Sequence, residues 1–132
     1  MIVGRRKFIG SAGAGAIALV LPGCATQNGA TAMYGLIGKM KAVPGQRDAL
    51  IAILLEGVSD MPGCLSYVVA QDPNDPDAIW VTEVWDSRAS HAASLSLPSV
   101  KAAIARGKPL IASFDQHIET LPVGGHGVRA VG

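Results

Sequence analysis

Apolar residues along this chain fall into two regimes. Near the start they form one unbroken run, and from Met33 onward they fall into short stretches with a period of two or of about 3.6 residues, separated by proline, glycine and aspartate. Met33 to Lys41 sets Tyr34, Leu36 and Met40 against Ile37 and Lys39, the alternation of a strand, with Gly35 and Gly38 leaving room for close approach. After Pro44-Gly45 the period lengthens. Leu50, Ile51, Leu54, Leu55, Val58 and Met61 share one helical stripe, with Arg47, Glu56 and Ser59 off it, and Pro62-Gly63 ends it. Cys64 to Gln71 alternates again, with Leu65, Tyr67 and Val69 on one face and Ser66, Val68 and Ala70 on the other. The turn-forming run Asp72 to Asp77 then leads to a third strand, Ala78 to Trp85, so the two strands should form a hairpin.

Asp86-Ser87 is suited to cap a helix from Arg88 to Leu97. Pro98-Ser99 opens a short one carrying Val100 and Ile104, closed by Gly107 and Pro109, and Phe114 to Leu121 supplies a fourth strand. The predicted class is α+β: a ferredoxin-like β-α-β-β-α-β order, an antiparallel four-stranded sheet with helices on one face, spanning residues 33–122 before a loose tail over 123–132. Both faces of the strands are apolar while the helices cover only one. The expected assembly is therefore a homodimer, two sheets meeting face to face as a dimeric α/β-barrel.

The first regime changes the picture of where the protein goes. Gly4-Arg5-Arg6-Lys7-Phe8-Ile9 precedes an uncharged run to Leu21 and then Pro22-Gly23-Cys24, the basic, apolar and small-residue order of a signal peptide. That run falls short of the ~20 residues of a membrane-spanning helix. The paired arginines with their flanks match the twin-arginine export signal, which predicts a periplasmic protein or a membrane-anchored lipoprotein. Leu21 to Cys24 fits a lipoprotein box, with Cys24 as the lipidated residue of a membrane tether. The alternative is cleavage after Ala30-Thr31-Ala32, which would discard Cys24 and release a soluble product. Residues 1–32 are thus expected to be signal peptide and tether.

Removing the leader takes Arg5, Arg6 and Lys7 with it and leaves eight basic against ten acidic residues, a formal charge of −2. No basic patch for a phosphate backbone is expected, so nucleic acid is disfavoured as a partner. Cys64 would be the one unmodified cysteine and is expected to be a small buried hydrophobe. Three scattered histidines without ligand spacing predict no metal site.

The residues then resemble something known. Pro44-Gly45, the run Met61-Pro62-Gly63-Cys64-Leu65-Ser66-Tyr67, and Glu83-Val84-Trp85-Asp86-Ser87 followed by His91 are similar in order and spacing to the antibiotic biosynthesis monooxygenase (ABM) domain family, over roughly Met33 to Leu121. The resemblance implies a pocket between helices and sheet. It also implies cofactor-independent oxygenation of a quinol-like or phenolic compound, with no cofactor and a small aromatic substrate as partner. A non-catalytic binding domain of the same fold, or an isomerase of a small carbonyl compound, is the alternative.

Four residues become candidates. His91 and Glu83 are the catalytic ones, as bases for a phenolic proton, although each could instead be a structural hydrogen-bonding group. Trp85 and Tyr67 are the substrate-binding ones. Trp85 is either a wall for a flat ring or a core residue closing the sheet, and Tyr67 either donates to a substrate oxygen or is core. Trp80 lies on the opposite strand face, toward the expected partner subunit. Departures from the family pattern narrow the chemistry. Val81 stands where some polyketide-oxidising members have asparagine. Ser94 and Ile104 stand at the tryptophan and histidine positions of haem-degrading relatives, so haem degradation is not expected.

Overall fold

The period-two stretches form four strands: β1 (Tyr34–Ala42), β2 (Cys64–Gln71), β3 (Ala78–Trp85) and β4 (Ile111–Thr120). A computed structural model describes residues 32–128 of the chain, so the leader with Cys24 and residues 129–132 lie outside the described residues. The strands make one antiparallel sheet in the order β2-β3-β1-β4. Three helices, α1 (Arg47–Gly57), α2 (Arg88–Ser94) and α3 (Pro98–Gly107), complete a β-α-β-β-α-α-β order, the ferredoxin-like arrangement read from the sequence with its second crossover split.

The split has a local cause. Pro98 disfavours helical dihedrals at the residue before it, and Leu97 is extended at φ −67°, ψ 136°. Ser94 also donates its hydroxyl to the His91 carbonyl at 2.6 Å, competing with continuation of the helix. The helix expected to reach Leu97 therefore stops at Ser94. The fourth strand begins three residues earlier than expected. A 3₁₀ turn over Lys108–Leu110 absorbs Pro109 and delivers Ile111 directly opposite Ala42 of β1. In β2, Cys64 and Ser66 take the consecutive partners Trp85 and Val84, so Leu65 is the extra residue of a bulge and leaves the simple alternation.

On the helix-covered face the buried side chains form two clusters. Tyr34, Leu36, Met61 and Trp85 make the first, and Ala42, Leu50, Ile79 and Val81 the second, with Tyr67 packed against both. Helix α1 contributes Leu50 and Gly57 to the interior while Leu55, assigned by periodicity to its stripe, stays exposed. The missing side chain at Gly57 matters, because a Cβ there would come within 2.8 Å of the Ala103 Cβ on α3. The α1–α3 contact thus depends on glycine.

The opposite face has no helix over it. Val68 and Ile118 are exposed there, alongside half-buried Ile37 and Val84. Trp80, expected on this face, donates to Asp72 Oδ2 at 3.0 Å and lies under the Lys39 ammonium, 5.1 Å from the ring centroid. Lys39 and Lys41 pair with Asp72 and Asp75, each at 3.1 Å. Among the described residues no helix is long and apolar enough to cross a membrane.

Candidate functional site

Between the helices and the sheet lies a cavity of about 450 Å³, walled by residues of both core clusters. Most of its wall is apolar. Glu83, Trp85 and His91 gather where β3 meets α2. Glu83 and Trp85 are two residues apart on β3 and so share a face, where the Trp85 indole Nε1 donates to Glu83 Oε1 at 2.9 Å.

His91 reaches the same place from α2. The helix starts at Ser87, extended at φ −162°, whose hydroxyl accepts the Ser90 N–H at 3.0 Å. One turn in, the imidazole lies against the Tyr34 ring, centroids 5.2 Å apart, and meets Trp85 edge to face at 5.4 Å. Its Nε2 is 4.0 Å from Glu83 Oε1, too long for a direct hydrogen bond and short enough for ionic attraction when the ring is protonated. Glu83 retains 12% and His91 20% of their side-chain exposure. Tyr67 lines the cavity from β2, directly opposite Glu83 in the sheet register.

Burial dominates the electrostatics of this end. Burial pushes the Glu83 carboxyl above its ordinary value, partly opposed by the Trp85 donor and by the charges of His91 and His117. Burial, with the Glu83 charge beside it, pushes the Tyr67 phenol up, so it remains a donor across the accessible pH range. The four candidates are thus brought together at one end of one cavity. Trp85, however, is 1% exposed and its indole N–H is already bonded. It presents only part of its ring to the cavity and holds Glu83 in place.

Sequence reasoning missed the groups just beyond this end. Tyr34 donates its hydroxyl to Glu119 Oε2 at 2.6 Å, and Arg88 holds the same carboxylate with two bonds of 2.7 and 3.1 Å. The guanidinium lies 4.6 Å from the Tyr34 ring centroid, and Glu119 is held down to about 2 by Arg88 first and Tyr34 second. This clasp ties the start of α2 to the end of β4. His117, unassigned from sequence, sits on β4 opposite Gly38, two residues from Glu119. Among the described residues no group of three histidine, cysteine, aspartate or glutamate side chains could hold a metal ion.

Comparison with known families now adds to this geometry. The sequence pattern of the Antibiotic biosynthesis monooxygenase (ABM) family matches residues 33–106, more than half of the chain. The chain belongs to the ABM family. Within it, the crystal structure of a Chloroflexus aurantiacus J-10-fl protein, named as a candidate antibiotic biosynthesis monooxygenase, is 78% identical, with a TM-score of 0.72 over 74% of this chain and 99% of that one. Two further structures share the fold at low identity. A Caulobacter crescentus CB15 protein has 19% identity and a TM-score of 0.66 over 76% of this chain and 99% of its own. PA3566 from Pseudomonas aeruginosa has 20% identity and a TM-score of 0.63 over 72% and 98%. No curated protein matches the chain. Val81 is buried in the second core cluster, and Ser94 and Ile104 line the cavity.

Proposed function

We propose that this ABM domain is a cofactor-independent monooxygenase that oxidises a small quinol-like or phenolic compound with molecular oxygen. The observation that carries the reading is the Glu83 carboxyl. It is largely buried in an apolar wall, shifted upward by that burial, oriented by the Trp85 indole, and placed within ionic reach of His91. A phenolic hydroxyl entering this end gives its proton to Glu83, and His91 beside it donates a hydrogen bond to the resulting anion. Tyr67 donates toward the substrate oxygen and fixes the ring. The electron-rich anion reduces oxygen and forms a carbon–oxygen bond. Loss of two substrate hydrogens with the second oxygen atom, as water, leaves a carbonyl product, so the substrate itself supplies the electrons.

Oxygen uptake by the purified protein with a panel of quinols and phenols tests this. Glu83→Gln and His91→Ala should each lower the rate by about 100-fold or more while folding is retained. Turnover that proceeds without oxygen would replace the reading with an isomerase of a carbonyl compound. Tight binding without any turnover would replace it with a small-molecule-binding domain, a reading favoured by the Trp85 bond that already occupies one Glu83 oxygen.

We also propose export by the twin-arginine route with Cys24 as a lipidated tether, and a homodimer through the uncovered sheet face. Intact mass of the protein from membrane and periplasmic fractions tests the first, since a product beginning after Ala32 would exclude the tether.

A further inference from the structure

The core of this domain is divided, and the division has a direction. The first cluster, with Tyr34, Leu36 and Trp85, sits where β1 begins and β3 ends; the second, with Ala42, Leu50 and Ile79, sits where β1 ends and β3 begins. The cavity is lined from both. Glu83 stands opposite Leu36 of β1, whereas Phe114 stands opposite Met40 and Ile111 opposite Ala42. At about 3.3 Å per residue, the four residues from Leu36 to Met40 separate the two levels by ~13 Å. The cavity, about 450 Å³, is lined at both of these levels.

The far end of the cavity differs chemically from the Glu83 end. There Ile104 of α3 and Phe114 of β4 line the cavity yet remain exposed, Phe114 at 72%. Lys108 lines it there. Its backbone is fixed at the head of the 3₁₀ turn, where its N–H donates to the Ile104 carbonyl and its own carbonyl accepts the Ile111 N–H. The turn is fastened to the end of β1, where the Val43 N–H donates to the Leu110 carbonyl at 2.8 Å. Arg106, two residues earlier, is paired with Glu56, but among the described residues Lys108 takes part in no ion pair. Lys108 is the one lysine or arginine among the residues lining the cavity, and Glu83 the one carboxylate.

We infer that the cavity takes a substrate with an aromatic hydroxyl at the Glu83 end and a carboxylate or similar anion at the Lys108 end, joined by an apolar span. This inference rests on the proposed function for what happens at the hydroxyl, and adds the substrate class. Lys108 would act as a specificity residue. A flexible ammonium on a fixed stem selects an anion without demanding one bidentate geometry, and the apolar walls accept the connecting chain.

The test is direct binding by calorimetry of para-hydroxyphenyl hexanoic acid and its methyl ester, which share one carbon chain and differ in the charge and a single methyl group. The acid should bind wild type about tenfold more tightly than the ester. Lys108→Met should erase that advantage, and Lys108→Arg should keep most of it. Equal binding of acid and ester by wild type, or an advantage that survives in Lys108→Met, would overturn the inference. Oxygen uptake measured on the same two compounds separates the two claims. Equal turnover of acid and ester keeps the oxygenase and discards the anion site, whereas a Lys108-dependent acid preference without oxygen uptake does the reverse.

Discussion

Glu83 is held in a state that costs the protein stability. Its carboxyl is raised by burial, so the native state resists the charge. The sign follows. Below the ordinary carboxylate range, about pH 4, the group is protonated in native and unfolded chains alike and the penalty is absent. As pH rises through the shifted value, the unfolded chain ionises more easily and stability falls. Glu83→Gln keeps an acceptor for the Trp85 indole and removes the charge. Its melting temperature should therefore exceed that of wild type at neutral pH, with the gap closing toward about pH 4, while oxygen uptake is lost. Calorimetry across that range checks it. Glu119 behaves in the opposite sense. Arg88 and Tyr34 hold it down to about 2, so its contribution is present above the ordinary carboxylate range and disappears as pH falls toward that value. Glu119 is 44% exposed and Arg88 67%, so the effect on global stability should be small. The readout is local: near-ultraviolet dichroism of the Tyr34 environment should change on acidification, and Glu119→Gln should abolish that change.

At the scale of elements, two short features place the site. Ser87 caps the seven-residue helix that carries His91, and Ser87→Ala should cost about 1 kcal/mol and lower activity through misplacement of the imidazole. Gly63, at φ +85°, turns the chain into β2. A Cβ there would come within 2.5 Å of Ser90 and 2.7 Å of Asp86 Oδ1, so Gly63→Ala should destabilise by more than about 1 kcal/mol, as read by urea denaturation. Both features were visible as local signals, a serine after an aspartate and a proline-glycine pair. So were the strands, because alternation survives wherever one face is buried, and a spacing of two puts Glu83 and Trp85 on one strand face, although their hydrogen bond was not legible. What stayed hidden was long-range or weakly patterned. Tyr34 and Glu119 lie 85 residues apart, and nothing local marks them as partners. Lys108 carries no local signal of its own, and only the fold places it on the cavity, at the head of the turn that holds Pro109. The early start of β4 was obscured because its residues beyond Ile111 are exposed on both faces, which leaves no clean period to read.

At the scale of the molecule, the sheet divides the work between its faces. The helix side carries the cavity, and the other side carries Ile37, Val68, Val84 and Ile118 with no helix over them. A second copy packed on that face should bury about 1,200–2,000 Å² or more in total. Light scattering at micromolar concentration should report a dimer, and Val68→Lys, which alters an exposed position of the single chain, should shift it to monomer. A strictly monomeric wild type would remove the dimer from the account. The helix-side position of the cavity then has a kinetic consequence. In a dimer joined through the bare faces, two sheets packed about 10 Å apart stand between the two cavities, each on the helix side of its own sheet. Neither occupant touches the interface, so filling one has no contact through which to alter the other. Saturation curves should be simple hyperbolas with a Hill coefficient of about one, and a half-inactivated mixed dimer should retain half the turnover of the whole.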